Sequence, residues 1–459
     1  MAMNGLDAEF CGKKVAILGF GVESQESVEF MLKLKAVISV FDEKAENAFD
    51  VSRLQHLREQ GVSFNFGEFP SLAQFDIIVR SPGVKPGIQA LHEAGDLGIT
   101  ITSATNIFLE HAQGTVVGIT GTKGKGTTAA LLYEMVKTTG RDAYIGGNIG
   151  IPALSFLDIL KPDSVSILEL SSFQLMDATR SPHIAIVLMV TQDHLDYHTS
   201  AVEYIMAKMG IASHQSEKDS IIVNIDYRGS VQVAGRSAAK RYEISKFQRV
   251  EQGCFTEHGF VVVALGGVQE RIIDQNSILI PGKHNLENVC AATMAGKLLG
   301  IPNENIAKAL RSFRGLAHRL ELVREIDGVK YYNDSIGTTP DSAIAAIQAF
   351  DAPKILILGG STKHSDFTEL GNTIAHHPAI KAIIGIGEEW PRIRASIPNH
   401  PHGIEFYEDL TSMQDIVEKV HSHAEPGDVV ILSPACASFD MFKDYKDRGD
   451  QFKFWVEKL

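Results

Sequence analysis

Cysteine is scarce in this chain: Cys11, Cys254, Cys290 and Cys436 are scattered over 459 residues without a Cys-x-x-Cys pair. That spacing excludes a disulfide framework and a zinc knuckle, and it fits a reducing compartment. No apolar run is long enough to cross a bilayer, and the opening MAMNGLDAEF lacks a basic stretch followed by an apolar one. Neither a membrane partner nor a secretory leader is expected, which points to the cytoplasm. Positive charge is also short. With 43 Lys and Arg against 56 Asp and Glu, the formal charge of −13 argues against a nucleic-acid backbone as partner. Small anions remain open wherever cations or metals gather locally. Internal repeats and low-complexity linkers are absent too.

The chain has an ordinary globular balance, 44% hydrophobic and 22% charged, and it is too long for a single core. Its patterns alternate. From Val15 a strand (VAILGFG), a polar-faced helix (ESQESVEFMLKLK) and a second strand (VISVFDE) read as a parallel sheet covered by helices. Similar units continue to about Glu110. A second block opens on TVVGIT, and its later runs SVSILEL and IAIVLMV look like strands buried on both faces. Near residues 252–281 short strands such as FVVVAL and SILI appear, and KHNLENVCAATMAGKLLG then reads as a helix closed by Gly300. A third block, from about Gly315, holds KILILGG, AIIGIG and DVVILSP as strands. The expectation is an α/β protein of three domains, 1–110, 111–315 and 316–459. The outer two are Rossmann-like, and the central one is a phosphate-loop domain with a mainly parallel sheet.

The strongest chemical signal is Gly118-Ile-Thr-Gly-Thr-Lys-Gly-Lys-Gly-Thr-Thr128, set between a buried-strand pattern and the helical run AALLYEMVKTTG. Glycines there admit phosphate oxygens to backbone N–H groups, the helix offers its positive end, and Lys125 adds a cation. Residues Gly121, Thr122, Lys123, Gly124, Lys125, Gly126, Thr127 and Thr128 therefore form the candidate nucleotide-triphosphate loop. Gly126 stands where Ser or Thr usually meets magnesium, so Thr127 takes that role. The loop alone does not separate a ligase from a kinase or an ATPase.

Glu169 ends SVSILEL, and Thr191-Gln-Asp-His-Leu-Asp196 follows IAIVLMV. Parallel strands would bring both segments to the carboxyl edge beside the loop, where open α/β sheets bind ligands. Glu169 and His194 are the first-choice ligands for Mg²⁺ between ATP and its acceptor. Lys208, in EYIMAKMG, reads from pattern alone as a solvated helix lysine. Gly19-Phe-Gly21, with Asp42 ending the next strand, forms half of a dinucleotide fingerprint. Ser24 occupies the third glycine's place, so a diphosphate turn and a purely structural turn both fit.

Taken together, GITGTKGKGTT, GGNIGIPAL, LELSSFQL, VTQDHLDYH, GKHNLENVCAA, GLAHRLELV, NDSIGTTPDS, LGGSTKHSDF and LSPACASFDMFKDYKDRGDQF resemble the Mur ligase superfamily along nearly the whole chain. The last three stretches look most like its glutamate-adding branch. The resemblance implies an ATP- and Mg²⁺-dependent ligase that joins glutamate, expected as the D form, to UDP-N-acetylmuramoyl-alanine through an acyl phosphate in peptidoglycan synthesis. A monomer with no nucleic-acid or membrane partner is expected. The alternatives are an L-glutamate-adding or folylpolyglutamate-synthase-like ligase and, from another class, an inactive nucleotide-binding scaffold.

The resemblance also assigns residues. Lys125 and Thr127 fall on phosphate, Glu169 and His194 on magnesium, and Lys208 on a lysine that such ligases carbamylate to a metal-facing anion. Gly21, Val22 and Asp42, with Ser81 and Gly83 of the Ser81-Pro-Gly-Val84 loop, fall on the uridine diphosphate side, and Asn148 and Ser171 lie near the muramoyl group. Asn285 and Asn288 match the adenine side, and Arg319 and Asp334 match residues that the third domain lends to ATP. Thr338, Lys363, Ser438 and Tyr445 match the glutamate positions. Tyr445 replaces the usual Phe, and Ile336 replaces the Lys common after Asn-Asp-Ser.

Overall fold

The computed structural model describes residues 3–191, 197–198, 200–362, 365–398 and 403–459. Two of the sequence-derived candidates, His194 and Lys363, lie outside the described residues. The chain divides into two compact units, one of residues 1–275 and 287–310, the other of residues 276–286 and 311–459. The first unit carries two sheets and the second carries one, so the three-domain α/β expectation holds.

In the first unit, β1 (Lys14–Leu18), β2 (Val37–Asp42), β3 (Ser63–Phe66), β4 (Ile77–Arg80) and β5 (Thr100–Thr102) pair in the order β3-β2-β1-β4-β5, all parallel. The order reverses between β1 and β4. Their carboxyl ends are therefore where a ligand crevice is expected in such sheets. The second sheet contains β6 (Thr115–Thr120), β7 (Ala143–Gly147), β8 (Val165–Glu169), β9 (Ile184–Val187), β10 (Ser220–Asn224), β11 (Lys240–Ser245), β12 (Gly253–Glu257), β13 (Phe260–Leu265) and β14 (Val268–Asp274). Its order is β14-β13-β12-β11-β10-β9-β6-β8-β7. Pairing is parallel from β7 through β12 and antiparallel at the β13 and β14 edge. The β6, β8 and β9 runs are buried almost throughout, as continuous Val, Ile and Leu strands under helices should be. One apolar cluster spans both sheets of this unit, with Phe108 edge-on to Phe156 at 5.3 Å, and a separate cluster packs on the first sheet.

The second unit builds β15 (Glu321–Ile326), β16 (Val329–Asn333), β17 (Lys354–Gly359), β18 (Ile380–Ile386), β19 (Glu405–Tyr407) and β20 (Val429–Leu432) into the order β15-β16-β20-β17-β18-β19. Among the described strands of this sheet only the β15–β16 pair is antiparallel. Cores on both faces of this sheet make it the middle layer of a helix–sheet–helix stack. The predicted strand SILI does not form. Residues Gln275–Ser277 make a 3₁₀ turn and the next residues are irregular, because four apolar residues carry too little periodicity to tell a strand from a buried connection. The helix read after it spans Asn285–Leu298, and Gly300 closes it at φ +74°.

Candidate active site

The phosphate loop leaves β6 and enters the helix Lys125–Lys137, whose Ala, Leu and Met residues favour the helix once the glycines end. Gly124 caps it in the left-handed region, φ +89°. A Cβ there would stand 2.2 Å from Asn288 Oδ1, so only glycine fits. That same amide oxygen accepts from Thr128 Oγ1 at 3.3 Å. The asparagine matched to the adenine side thus also buttresses the loop. Thr122 N donates to Met189 O (2.6 Å), while its Oγ1 accepts from Thr191 N (3.0 Å) and lies 3.1 Å from Tyr204 Oη. Lys125 Nζ donates to Gly121 O (3.1 Å) and Thr122 O (3.3 Å), which curls the ammonium back over the loop. Lys123 is exposed, whereas Gly126, Thr127 and Thr128 are buried.

Register brings the other groups to this edge. Glu169, the last residue of β8, pairs with Ile119 of β6 on one side and Gly147 of β7 on the other. Asn148 follows Gly147. Its N–H donates to Glu169 O (2.9 Å) and its Nδ2 to Glu169 Oε1 (3.3 Å). Ser171 caps the short helix Ser172–Leu175 in a reciprocal capping box with Gln174.

Lys208 departs from the surface reading. It is 1% exposed, and its ammonium donates to Gly121 O (3.1 Å) and Thr120 Oγ1 (3.5 Å) over the Tyr204 ring at 4.5 Å. The short helix Ala201–Lys208 turns this face inward toward the carboxyl end of β6 and the loop that follows it, a placement that local pattern does not encode. Tyr204, also buried, joins Lys208 to Thr122 and was not a sequence candidate. Its only signal was its place in EYIMAKMG.

The donor set suits a magnesium nucleotide. Hard oxygens from Thr127 and Glu169, a cradle that a Cβ would fill, a positive helix end and Lys125 are all present. Among the described residues no cluster of three or more His, Cys, Asp or Glu side chains forms a protein-only metal cage. That is the usual case for Mg²⁺, which takes few protein ligands and completes its shell with water and phosphate.

At the β1–β4 crevice, Gly21 caps the helix Val22–Lys33, and Val22 is exposed. Asp42, at the end of β2, accepts from Phe20 N (2.7 Å) and Lys44 N (2.8 Å), so its carboxylate braces the first loop. Ser81 N donates to Leu18 O, and Gly83 is exposed beyond it.

In the second unit, Asp334 follows β16, accepting from Ser433 Oγ (2.6 Å) and Leu320 N (3.1 Å). Burial pushes its carboxyl up to about 6, with those hydrogen bonds and the Arg319 charge opposing. Arg319 is exposed, and Thr338 N donates to Ile336 O. Ser438 is buried, and its carbonyl accepts from Phe442 N (2.8 Å). Tyr445 opens the last helix, its carbonyl accepting from Ser335 Oγ (2.8 Å) and its ring edge-on to His318. Asn285 Nδ2 donates to Pro281 O (2.6 Å). Arg448, fully buried, was not a sequence candidate. It holds Ser335 Oγ and O and the carbonyls of Cys436 and Ala437, fixing the segment that carries Ser438. Its place in the Arg-Gly of the last motif was the available signal.

Comparison with known proteins accounts for both units. Three family descriptions match in chain order: the Mur ligase MurD-like N-terminal domain over residues 13–103, the Mur ligase middle domain over 119–296, and the Mur ligase glutamate ligase domain over 318–436. The chain belongs to the Mur ligase family, whose members are ATP-dependent enzymes that form amide bonds. More particularly, it is 36% identical to the UDP-N-acetylmuramoylalanine--D-glutamate ligase of Acetivibrio thermocellus, over 100% of this chain and 99% of that protein. It is 35% identical to the enzyme of the same name from Ruminiclostridium cellulolyticum, over 97% of each. Among solved structures, the UDP-N-acetylmuramate-alanine ligase of Thermotoga maritima superposes with a TM-score of 0.55 at 15% identity, covering 97% of this chain and 99% of that one. The UDP-N-acetylmuramoylalanyl-D-glutamyl-2,6-diaminopimelate--D-alanyl-D-alanyl ligase of Acinetobacter baumannii gives 0.58 at 15% identity, covering 92% and 90%. These two likenesses concern the fold.

Proposed function

We propose that this chain joins D-glutamate to the alanyl carboxylate of UDP-N-acetylmuramoyl-L-alanine, converting ATP to ADP and phosphate, in the cytoplasmic stage of peptidoglycan synthesis. The observation that carries this reading is identity of 36% along the whole chain with a relative named for that reaction. In this reading residues 1–110 hold the uridine diphosphate end, 111–315 hold ATP and 316–459 hold glutamate, and the enzyme works as a monomer.

A carboxylate is a poor electrophile at neutral pH, so activation is the difficult step. Its oxygen attacks the γ-phosphorus, the bond to ADP breaks, and an acyl phosphate forms. The glutamate amine then attacks the acyl carbon, giving a tetrahedral intermediate that expels phosphate. Lys125 and the helix N-terminus would stabilise charge on the transferring phosphoryl group. Thr127 and Glu169, with His194 and a carbamylated Lys208, would hold magnesium, which would supply positive charge to the phosphates. Asn148 keeps Glu169 oriented through Oε1. Arg319 and Asp334 would serve ATP, and Thr338, Lys363, Ser438 and Tyr445 would serve glutamate. Holding the bound reactants in line would lower the entropic part of the barrier.

The test is mass spectrometry of products from ATP, Mg²⁺ and UDP-N-acetylmuramoyl-L-alanine, run separately with each glutamate enantiomer. The expected result is one new amide with D-glutamate alone, reduced at least about a hundredfold in Lys125→Ala by loss of a preorganised cation. Phosphate release without both acceptors, or near-normal turnover in that variant, overturns the assignment. Product from L-glutamate instead reassigns the stereochemistry.

A further inference from the structure

Arg80 ends β4 and is 1% exposed, an unusual place for a guanidinium, which is rarely fully buried unless paired. Its donors are divided between two segments far apart in sequence. Nη1 donates to Ser81 O (3.1 Å) and Val84 O (2.6 Å), both in the turn beyond β4. Nη2 donates to Phe173 O (3.1 Å) and Nε to Asp177 Oδ2 (2.6 Å), both in the segment that follows Glu169 and Ser171. Asp177 Oδ1 is buried without a hydrogen bond among the described residues. Tyr197 Oη adds a bond to Pro82 O (3.3 Å), and its ring lies 4.3 Å from Phe173. Carbonyls 81, 82 and 84 of one turn are thus all held by two side chains.

A second tether runs in parallel. Gln174 Nε2 reaches the Glu23 carboxylate (3.4 and 3.5 Å) just beyond Gly21 and Val22, while Gln174 Oε1 accepts from Ser171 N (2.9 Å) and Oγ (3.0 Å). The two loops are in direct contact as well, since a Cβ on Gly19 would meet Ser81 Cβ at 2.9 Å. Both crevice loops are therefore anchored to one short stretch, Ser171–Asp177. A lysine could bring the charge but not the planar fork that reaches four acceptors.

We infer that Arg80 is a positioning residue that fixes the Ser81–Val84 turn relative to the Ser171–Asp177 segment, so that a UDP-linked substrate gripped at the turn presents its carboxylate at the Glu169 edge. The inference rests on the proposed reaction. Its test is steady-state kinetics of the full chain with Arg80→Met, Arg80→Lys and Asp177→Asn, alongside thermal unfolding. Arg80→Met is expected to raise KM for the UDP-linked substrate at least about tenfold, with KM for ATP within about twofold. Arg80→Lys is expected to recover the unfolding temperature but not that KM. Asp177→Asn, which alters a single arm, guards against a variant that does not fold, and it should raise the same KM about threefold or more. A folded Arg80→Met or Asp177→Asn with unchanged KM for the UDP-linked substrate, or with activity lost only in proportion to unfolded protein, overturns the inference. Wild-type turnover in the same assay separates the cases: if the wild type makes no amide, the reaction assignment itself fails and this inference with it.

Discussion

A single carboxyl shows how burial and chemistry compete in this fold. Asp334 is 6% exposed, and burial raises its pKa from 3.8 to about 6 against the pull of Ser433, Leu320 N and Arg319. The folded state then holds the proton more tightly than the unfolded chain. Its contribution to stability is full below about pH 4 and is lost as pH rises through about 6, an effect on the order of 3 kcal/mol. Asp334→Asn cannot ionise, so the stability of the second unit should become flatter between pH 4 and 6. Both tryptophans of the chain, Trp390 and Trp455, lie in that unit, and urea midpoints followed by their fluorescence read it directly. An unchanged pH slope in the variant would mean that Asp334 titrates normally. If Asp334 also meets ATP as proposed, that variant should lose affinity for ATP as well, since a charged acceptor becomes a neutral amide.

At the scale of elements, the β6–loop–helix unit is the best specified part of the molecule, because each position has its own physical reason. Gly124 permits φ +89° and leaves room for Asn288 Oδ1. Gly124→Ala should therefore cost at least about 1–2 kcal/mol through the left-handed conformation alone, with the contact adding to it. KM for ATP is expected to rise about tenfold or more while that for glutamate stays level, and equal ATP KM values in the two proteins would show that the loop tolerates a side chain. The same unit was legible in sequence, since a buried run, spaced glycines and good helix formers agree at every level. SILI reads as a strand and is not one, because a four-residue apolar run has no distinguishing period. Lys208 reads as solvated because the helix Ala201–Lys208 is too short for its pattern to reveal which face turns inward. Arg80 gave no signal at all: an arginine at a strand end reads as exposed, and its four acceptors come from segments up to 97 residues away. Motifs record what must touch ligand, whereas the side chains that hold motifs in register depend on tertiary contacts.

At the scale of the whole molecule, the phosphate loop, Glu169, Asn148 and the β1–β4 crevice share one compact unit, and both tryptophans belong to the other. A ligand that binds only the folded form stabilises it by mass action, about 2.7 kcal/mol at a hundred times its Kd. Calorimetry follows the heat of the entire chain, while tryptophan emission follows the second unit, so comparing the two isolates unfolding of the first. Adding MgATP should move the calorimetric transition of the first unit upward by an amount that grows logarithmically with concentration. In Lys125→Ala, which keeps the loop glycines but removes the cation and its bonds to Gly121 O and Thr122 O, the shift should shrink or vanish over the same range. A wild-type transition that stays fixed at saturating MgATP would show that the loop between β6 and its helix does not hold the nucleotide in the free enzyme. A variant that shifts as far as the wild type would show that the backbone and helix end bind it without Lys125, leaving the lysine to act only on the transferring phosphoryl group.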